Sequence, residues 1–133
     1  MIVDSSALVA ILKREPDWRS FASALDSAET ARLSAATYVE IGAVVGRLKD
    51  PALDQEIDDL IEHFEIHIEP LSGVQARIAR QAYHDYGKGS GHPAQLNFGD
   101  CFSYALARDK REPILYKGDG FVYTDLRSAL NHP

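Results

Sequence analysis

Four carboxylates occupy positions suited to chemistry rather than to simple solvation. Asp4 directly follows the β-formers Ile2 and Val3 and precedes a run of helical composition. Glu40 lies in "ATYVEIGAVV", flanked by Val39 and Ile41, with Ala36, Ala43 and Val44 at helical neighbour positions. Asp100 opens the helix of "NFGDCFSYALA", and Asp119 falls in "YKGDGF" after the last apolar segment. Taken singly, each has an ordinary reading. Asp favours helix starts and turns before glycine, and a glutamate can snorkel from a helix edge. An ionised carboxylate among apolar neighbours is nevertheless rare unless it is paired or bound to a metal. Two carboxylates about 4 Å apart repel by roughly 4 kcal/mol at an effective dielectric near 20. A cluster of them therefore needs protons or cations. Oxygen ligands without a His or Cys cage favour Mg²⁺ or Mn²⁺, ions suited to phosphoryl transfer.

The elements that must position these groups alternate in kind. Ile2-Val3 reads as a short buried strand, followed by a helix over Ala7 to Leu12 that Ser5 or Ser6 can cap. Trp18, Phe21, Ala22 and Leu25 mark one face of a second helix, with Pro16 just before its start. A strand is expected around Leu33 to Ala35, then a helix from about Thr37 to Leu48, ended by Asp50-Pro51. Leu53, Ile57, Leu60, Ile61 and Phe64 form another helical stripe. "EIHIEP" alternates as a strand, with Ile66 and Ile68 on one face. Val74, Ile78, Ala82, Tyr83 and Tyr86 predict a further helix, and Gly87 to Pro93 a loop. Asp100 to Arg108 is helical in composition, and Pro113 to Tyr116 is the last strand. Short apolar strands separated by helices predict a parallel sheet covered on both faces, in one domain spanning 1–133. Such a sheet binds ligands beyond the carboxyl ends of its strands, which is where Asp4 falls.

Composition narrows the function classes. The 133 residues suffice for a real core, and 45% hydrophobic with 26% charged residues is ordinary for a globular protein. No stretch reaches the roughly 18 apolar residues of a membrane span, and Asp4 interrupts what would be a signal segment. One cysteine, Cys101, makes no internal disulfide, which points to the cytoplasm. The net charge of −6 argues against non-specific nucleic-acid binding but not against a site where a cation reverses the local field.

Over essentially its whole length the sequence resembles the VapC-type toxins of bacterial toxin–antitoxin pairs, which are PIN-domain ribonucleases. The resemblance is carried by "IVDSSALVAIL", "SAATYVE", "LNFGDCFSYALA" and "ILYKGDGFVYTDL", in that order. It implies a three-layer α/β/α sandwich with a central, mostly parallel sheet. It also implies a divalent-metal site, RNA cleavage, a cognate antitoxin that blocks the site, and a homodimer. Residue by residue, it implies that Asp4 and Asp100 ligate Mg²⁺ (or Mn²⁺) and that Glu40 completes the shell. Ser6 matches a small hydroxyl residue that orients the first aspartate or a water. Water activated there would attack phosphorus in line, leaving a 3′-hydroxyl and a 5′-phosphate. The fourth acid departs from the pattern. Related toxins often carry "KGDDF" where this chain has "KGDGF", so Asp119 is followed by Gly120, and Asp125 is the alternative source.

Lys13, Arg14, Lys88 and Lys117 are candidate phosphate contacts near the expected rim. Cys101 beside Phe102 and Ala105 reads as a buried apolar residue, not a nucleophile. His63, His67, His84, His92 and His132 show no zinc-ligand spacing, and His92 reads as a solvated loop residue. Two rival functions remain open. One is a PIN-like module that binds RNA or a regulator without cutting. The other is an aspartyl-phosphate phosphatase, disfavoured because Ser6 stands where that chemistry wants a second aspartate.

Overall fold

A computed structural model describes residues 1–130. Its strands are β1 (Ile2–Val3), β2 (Ala31–Ser34), β3 (Ile66–Glu69) and β4 (Ile114–Leu115). Its helices are α1 (Ser5–Leu12), α2 (Trp18–Ser27), α3 (Ala35–Gly46), α4 (Pro51–His63), α5 (Gly73–Tyr86) and α6 (Asp100–Lys110). A single 3-10 turn covers Phe121–Tyr123. The strands form one parallel sheet in the order β3-β2-β1-β4, with Ile2 opposite both Arg32 and Ile114. This is the three-layer α/β/α arrangement that the alternating segments predict.

β1 shows how two residues knit the layers together. Successive strand side chains point to opposite faces, and Ile2 and Val3 are both fully buried, in different cores. Val3 joins Leu8, Ile11, Phe21, Leu33, Ile41 and Ile57 under α1 to α4. Ile2 joins Leu96, Cys101, Leu106, Ile114 and Phe121 under α5 and α6. Each such side chain contributes about 1.5–3 kcal/mol on full burial.

Several boundaries differ from the sequence expectation, each for a local reason. α1 begins at Ser5, and Asp4 rather than a serine is its cap. α3 begins at Ala35 because the Ser34 hydroxyl accepts the Ala36 N–H at 3.2 Å. Asp50-Pro51 does not end that helix. Asp50 caps α4 with Pro51 at its first turn, where the missing N–H costs nothing. Ile68 does not share the burial of Ile66. It is 45% exposed on an edge strand, while Ile66 is buried. α5 buries Gln75, Ala79 and Ala82, leaving Val74 and Tyr83 at the surface.

Candidate active site

Asp4 stands where β1 hands over to α1, at the carboxyl end of the sheet. It is 2% exposed, and polar groups from three other places hold it. Its Oδ2 accepts the Ser6 N–H at 3.1 Å and the Ser6 hydroxyl at 2.6 Å. Its Oδ1 accepts the Ser103 hydroxyl of α6 at 2.6 Å. The Lys117 backbone N–H donates to Ser6 Oγ at 2.9 Å, so the segment after β4 fixes the hydroxyl that fixes Asp4. Thr37 Oγ1 of α3 lies 3.4 Å from Ser103 Oγ. Buried polar groups are expensive unless hydrogen-bonded. Here capping and orientation of the carboxylate are satisfied together.

Asp100 is set by a reciprocal capping pair. Its N–H donates to Asn97 Oδ1 at 2.8 Å, and its Oδ2 accepts the Asn97 N–H at 2.9 Å. Glu40 reaches across from α3 to lie against the turn before α6. A Cβ placed on Gly99 would meet Glu40 Oε2 at 1.4 Å, so only glycine leaves room for that carboxylate.

Asp100 and Glu40 both respond to neighbouring acids. Burial first, then the charge of Asp4, pushes the Asp100 carboxyl up to about 6. Glu40 adds to this shift, while the Asn97 hydrogen bond and Lys88 oppose it. Glu40 is raised as well, by burial and then by Asp4, with the Ser5 side chain opposing. The conditions that favour a proton here, low solvation and neighbouring negative charge, also favour a cation.

The donor set fits a divalent ion in its chemistry. It is all oxygen, it is mutually repulsive, and none of its members makes an ion pair among the described residues. Among the described residues, no three His, Cys, Asp or Glu side chains stand close enough to enclose an ion on their own.

The remaining candidates separate. Asp119 is exposed on its turn, lining a cavity of about 620 Å³ with Asp17, Ser20, Tyr116 and Lys117. It is not among the charges that shift Asp100 or Glu40. Asp125 accepts the Tyr104 hydroxyl at 2.8 Å and an ion pair from Arg108, one and two turns along α6 from Asp100. Lys88 is the candidate cation whose field reaches Asp100. Lys117 presents its backbone to the site, and its ammonium is held by Glu15 at 2.8 Å and Asp17 at 3.0 Å. Lys13 and Arg14 follow the far end of α1, roughly 13 Å along its axis from Asp4, so they are not on the rim. The Arg14 guanidinium lies over the Trp18 ring at 4.4 Å.

Cys101 is buried, and burial followed by Asp100 pushes its thiol up to about 12, too high for a nucleophile. His92 orders its loop, accepting the Ala94 N–H at 3.1 Å and packing edge-on against Tyr86. His132 lies outside the described residues.

Sequence reasoning missed Ser103, Asn97 and Gly99. Ser103 carried a usable signal, because Asp100-x-x-Ser103 places both residues on one helix face.

Residues 1–125 match the family model described as PIN domain. The chain belongs to the PIN-domain family. Within it, the chain is 53% identical over 131 residues to Ribonuclease VapC28 of Mycobacterium tuberculosis, covering 98% of each. It is 46% identical over 129 residues to Ribonuclease VapC42 of the same species, covering 97% of this chain and 98% of the other. Among solved structures, Mycobacterium tuberculosis VapC20, a sarcin-ricin loop cleaving toxin, has a similar fold. Its TM-score is 0.73 at 14% identity, covering 94% of this chain and 95% of that one. A toxin–antitoxin complex from Klebsiella pneumoniae gives 0.66 at 16% identity, covering 90% and 88%. At these identities the two structures speak for the PIN fold alone.

Proposed function

We propose that this PIN-domain protein is a Mg²⁺-dependent endoribonuclease toxin, restrained by a cognate antitoxin and acting in the cytoplasm as a homodimer. One observation carries the reading most directly. Asp4, Glu40 and Asp100 converge at the carboxyl end of a parallel sheet with no ion pair among the described residues, in a chain whose curated relatives are named ribonucleases. The antitoxin is supported by the toxin–antitoxin assembly among the structures of like fold. Among the described residues no helix is long and apolar enough to cross a membrane.

Asp4 and Asp100 would hold the ion, with Glu40 assisting. When bound, a divalent cation supplies Lewis acidity that activates water and offsets charge on the scissile phosphate. The protein's own part is positional. Ser6 and Ser103 fix both oxygens of Asp4, so this carboxylate enters the reaction with no rotamer left to order. Asn97 fixes one oxygen of Asp100 and leaves Oδ1 free to face the site. Burial and the charge of Asp4 raise both Glu40 and Asp100, so each gives up its proton less readily than an ordinary carboxyl. Lys88 is the protein cation placed to meet a substrate phosphate beside Asp100.

The test is purified protein, freed of antitoxin, incubated with structured RNAs in Mg²⁺ or in chelator. Cleavage in Mg²⁺ is expected, with loss in chelator and in Asp4→Asn and Asp100→Asn. RNA binding without cleavage, unchanged by these substitutions, would establish the non-cutting alternative. Release of phosphate from small monoesters would establish a phosphatase.

A further inference from the structure

The acidic rim raises a difficulty for an RNA substrate. Of the four cations first considered for phosphate contact, Lys117 is internally paired, Arg14 is stacked on Trp18, and Lys13 stands beyond the far end of α1. Lys88 alone offsets little of a chain with net charge −6. Electrostatic capture of a polyanion must come from elsewhere on the molecule.

A polar cavity of about 410 Å³ at the far end of α6 offers it. Its wall brings together Arg108 and Arg111 from the end of α6, Arg127 from the segment after the 3-10 turn, and the carboxylates Glu112 and Asp125. Both carboxylates are already engaged. Glu112 takes the Met1 ammonium at 2.5 Å and Arg32 Nε at 2.9 Å. Asp125 takes Arg108 and the Tyr104 hydroxyl. Arg111 and Arg127 make no ion pair among the described residues. Complementing the carboxyl end of α6 explains Arg108 and Lys110. It does not explain Arg127, which comes from another element and converges on the same hollow. Arg111 itself closes α6 in the left-handed region, φ 56° and ψ 44°, where glycine is the usual residue.

We propose that Arg111 and Arg127 form a distal phosphate-binding site that grips the RNA backbone away from the point of cleavage. Planar guanidinium forks suit phosphate oxygens. From Asp100 to the end of α6 is about 15 Å at helical rise. A stacked strand with the roughly 3.4 Å per nucleotide of B-DNA would span that distance in four or five nucleotides. The site therefore selects for substrates long or folded enough to reach both places. This inference rests on the ribonuclease reading, and its test separates the two.

The test pairs Arg111→Gln/Arg127→Gln with a charge-matched control, Arg47→Gln/Arg77→Gln, on exposed positions of other elements. Binding of a labelled 20-nucleotide RNA is titrated in chelator, so that nothing is cut, at several salt concentrations. Loss of two phosphate contacts lowers the slope of log K against log salt by about 1.5 and weakens binding roughly tenfold. In Mg²⁺, cleavage of the long RNA should fall with the binding loss, while cleavage of a trinucleotide stays at the wild-type rate. An unchanged salt slope would overturn the site. So would an equal slope change in the control, or an equal loss on trinucleotide and long RNA. If the wild type cuts no RNA at all, the ribonuclease reading falls, and the salt slope alone still decides the site.

Discussion

Replacing Asp100 with Asn should make the protein more stable while abolishing its activity. The carboxyl of Asp100 rises from its ordinary 3.8 to about 6 in the fold, through burial and then the charge of Asp4. Holding it ionised at pH 8 therefore costs up to about 3 kcal/mol of folding free energy, and about half that once solvent screening of a partly exposed group is allowed for. Asparagine keeps an oxygen to accept the Asn97 N–H and carries no charge, so this cost disappears. The sign with pH follows from proton binding. Between the unfolded and folded pKa values the folded state holds more protons, so acidification stabilises the wild type relative to the variant. In urea melts with chelator, Asp100→Asn should gain about 1.5–3 kcal/mol at pH 8, about half of that at pH 5, and about a fifth of it at pH 4. Mg²⁺ should then restore the wild type, by about 2.7 kcal/mol at one hundred times its dissociation constant, and do little for the variant. A variant no more stable than wild type at pH 8, or a gain that ignores pH, would refute the coupling of Asp100 to its acidic neighbours.

Three further expectations concern the groups around these carboxylates. Ser103→Ala removes the donor to buried Asp4 Oδ1 and should cost about 1–3 kcal/mol in urea melts, with a clear fall in RNA cleavage. Gly99→Ala drives a methyl into the space of Glu40 Oε2, and should raise the Mg²⁺ concentration needed for half-maximal cleavage while circular dichroism stays native. Glu112 is held below the ordinary range because, against the opposing effect of its burial, the Met1 ammonium and Arg32 favour its charge. Its stabilising effect is present above the unfolded-state pKa and lost as pH falls through the folded value. Glu112→Gln should therefore lower the melting temperature at pH 7 and converge with wild type only once pH has fallen through the lowered folded-state value.

Much of the fold was legible because the layers depend on periodicity. Two-residue strands such as Ile2-Val3 and Ile114-Leu115 are too short to show alternation. Each was still readable as an apolar step ending where a helix or turn begins. Burial of particular side chains was less legible. Ile66 and Ile68 alternate correctly, yet β3 lies at the sheet edge, and sequence does not say which strand has an uncovered face. Asp50-Pro51 was ambiguous for a related reason. The same dipeptide that forbids one helix from continuing is the preferred start of the next, and only the chain path decides between them.

The site divides along the same line between local and non-local causes. Asp4, Asp100 and Glu40 were readable because each is an acid at a strand end, a helix start or an apolar face. Those are properties of a few neighbouring residues. What holds them is non-local: Ser103 is 99 residues from Asp4, and the Lys117 N–H is 111 from Ser6. The same gap explains the basic residues. Charge alone made Lys117 and Arg14 look like phosphate contacts, and only the fold shows one spent on Glu15 and Asp17 and the other on Trp18. A cation is available to a substrate when its own protein has not already claimed it. By that criterion the free positive charge near the substrate path shrinks to Lys88 at the rim, while among the described residues Arg111 and Arg127 stand unclaimed at the other end of α6.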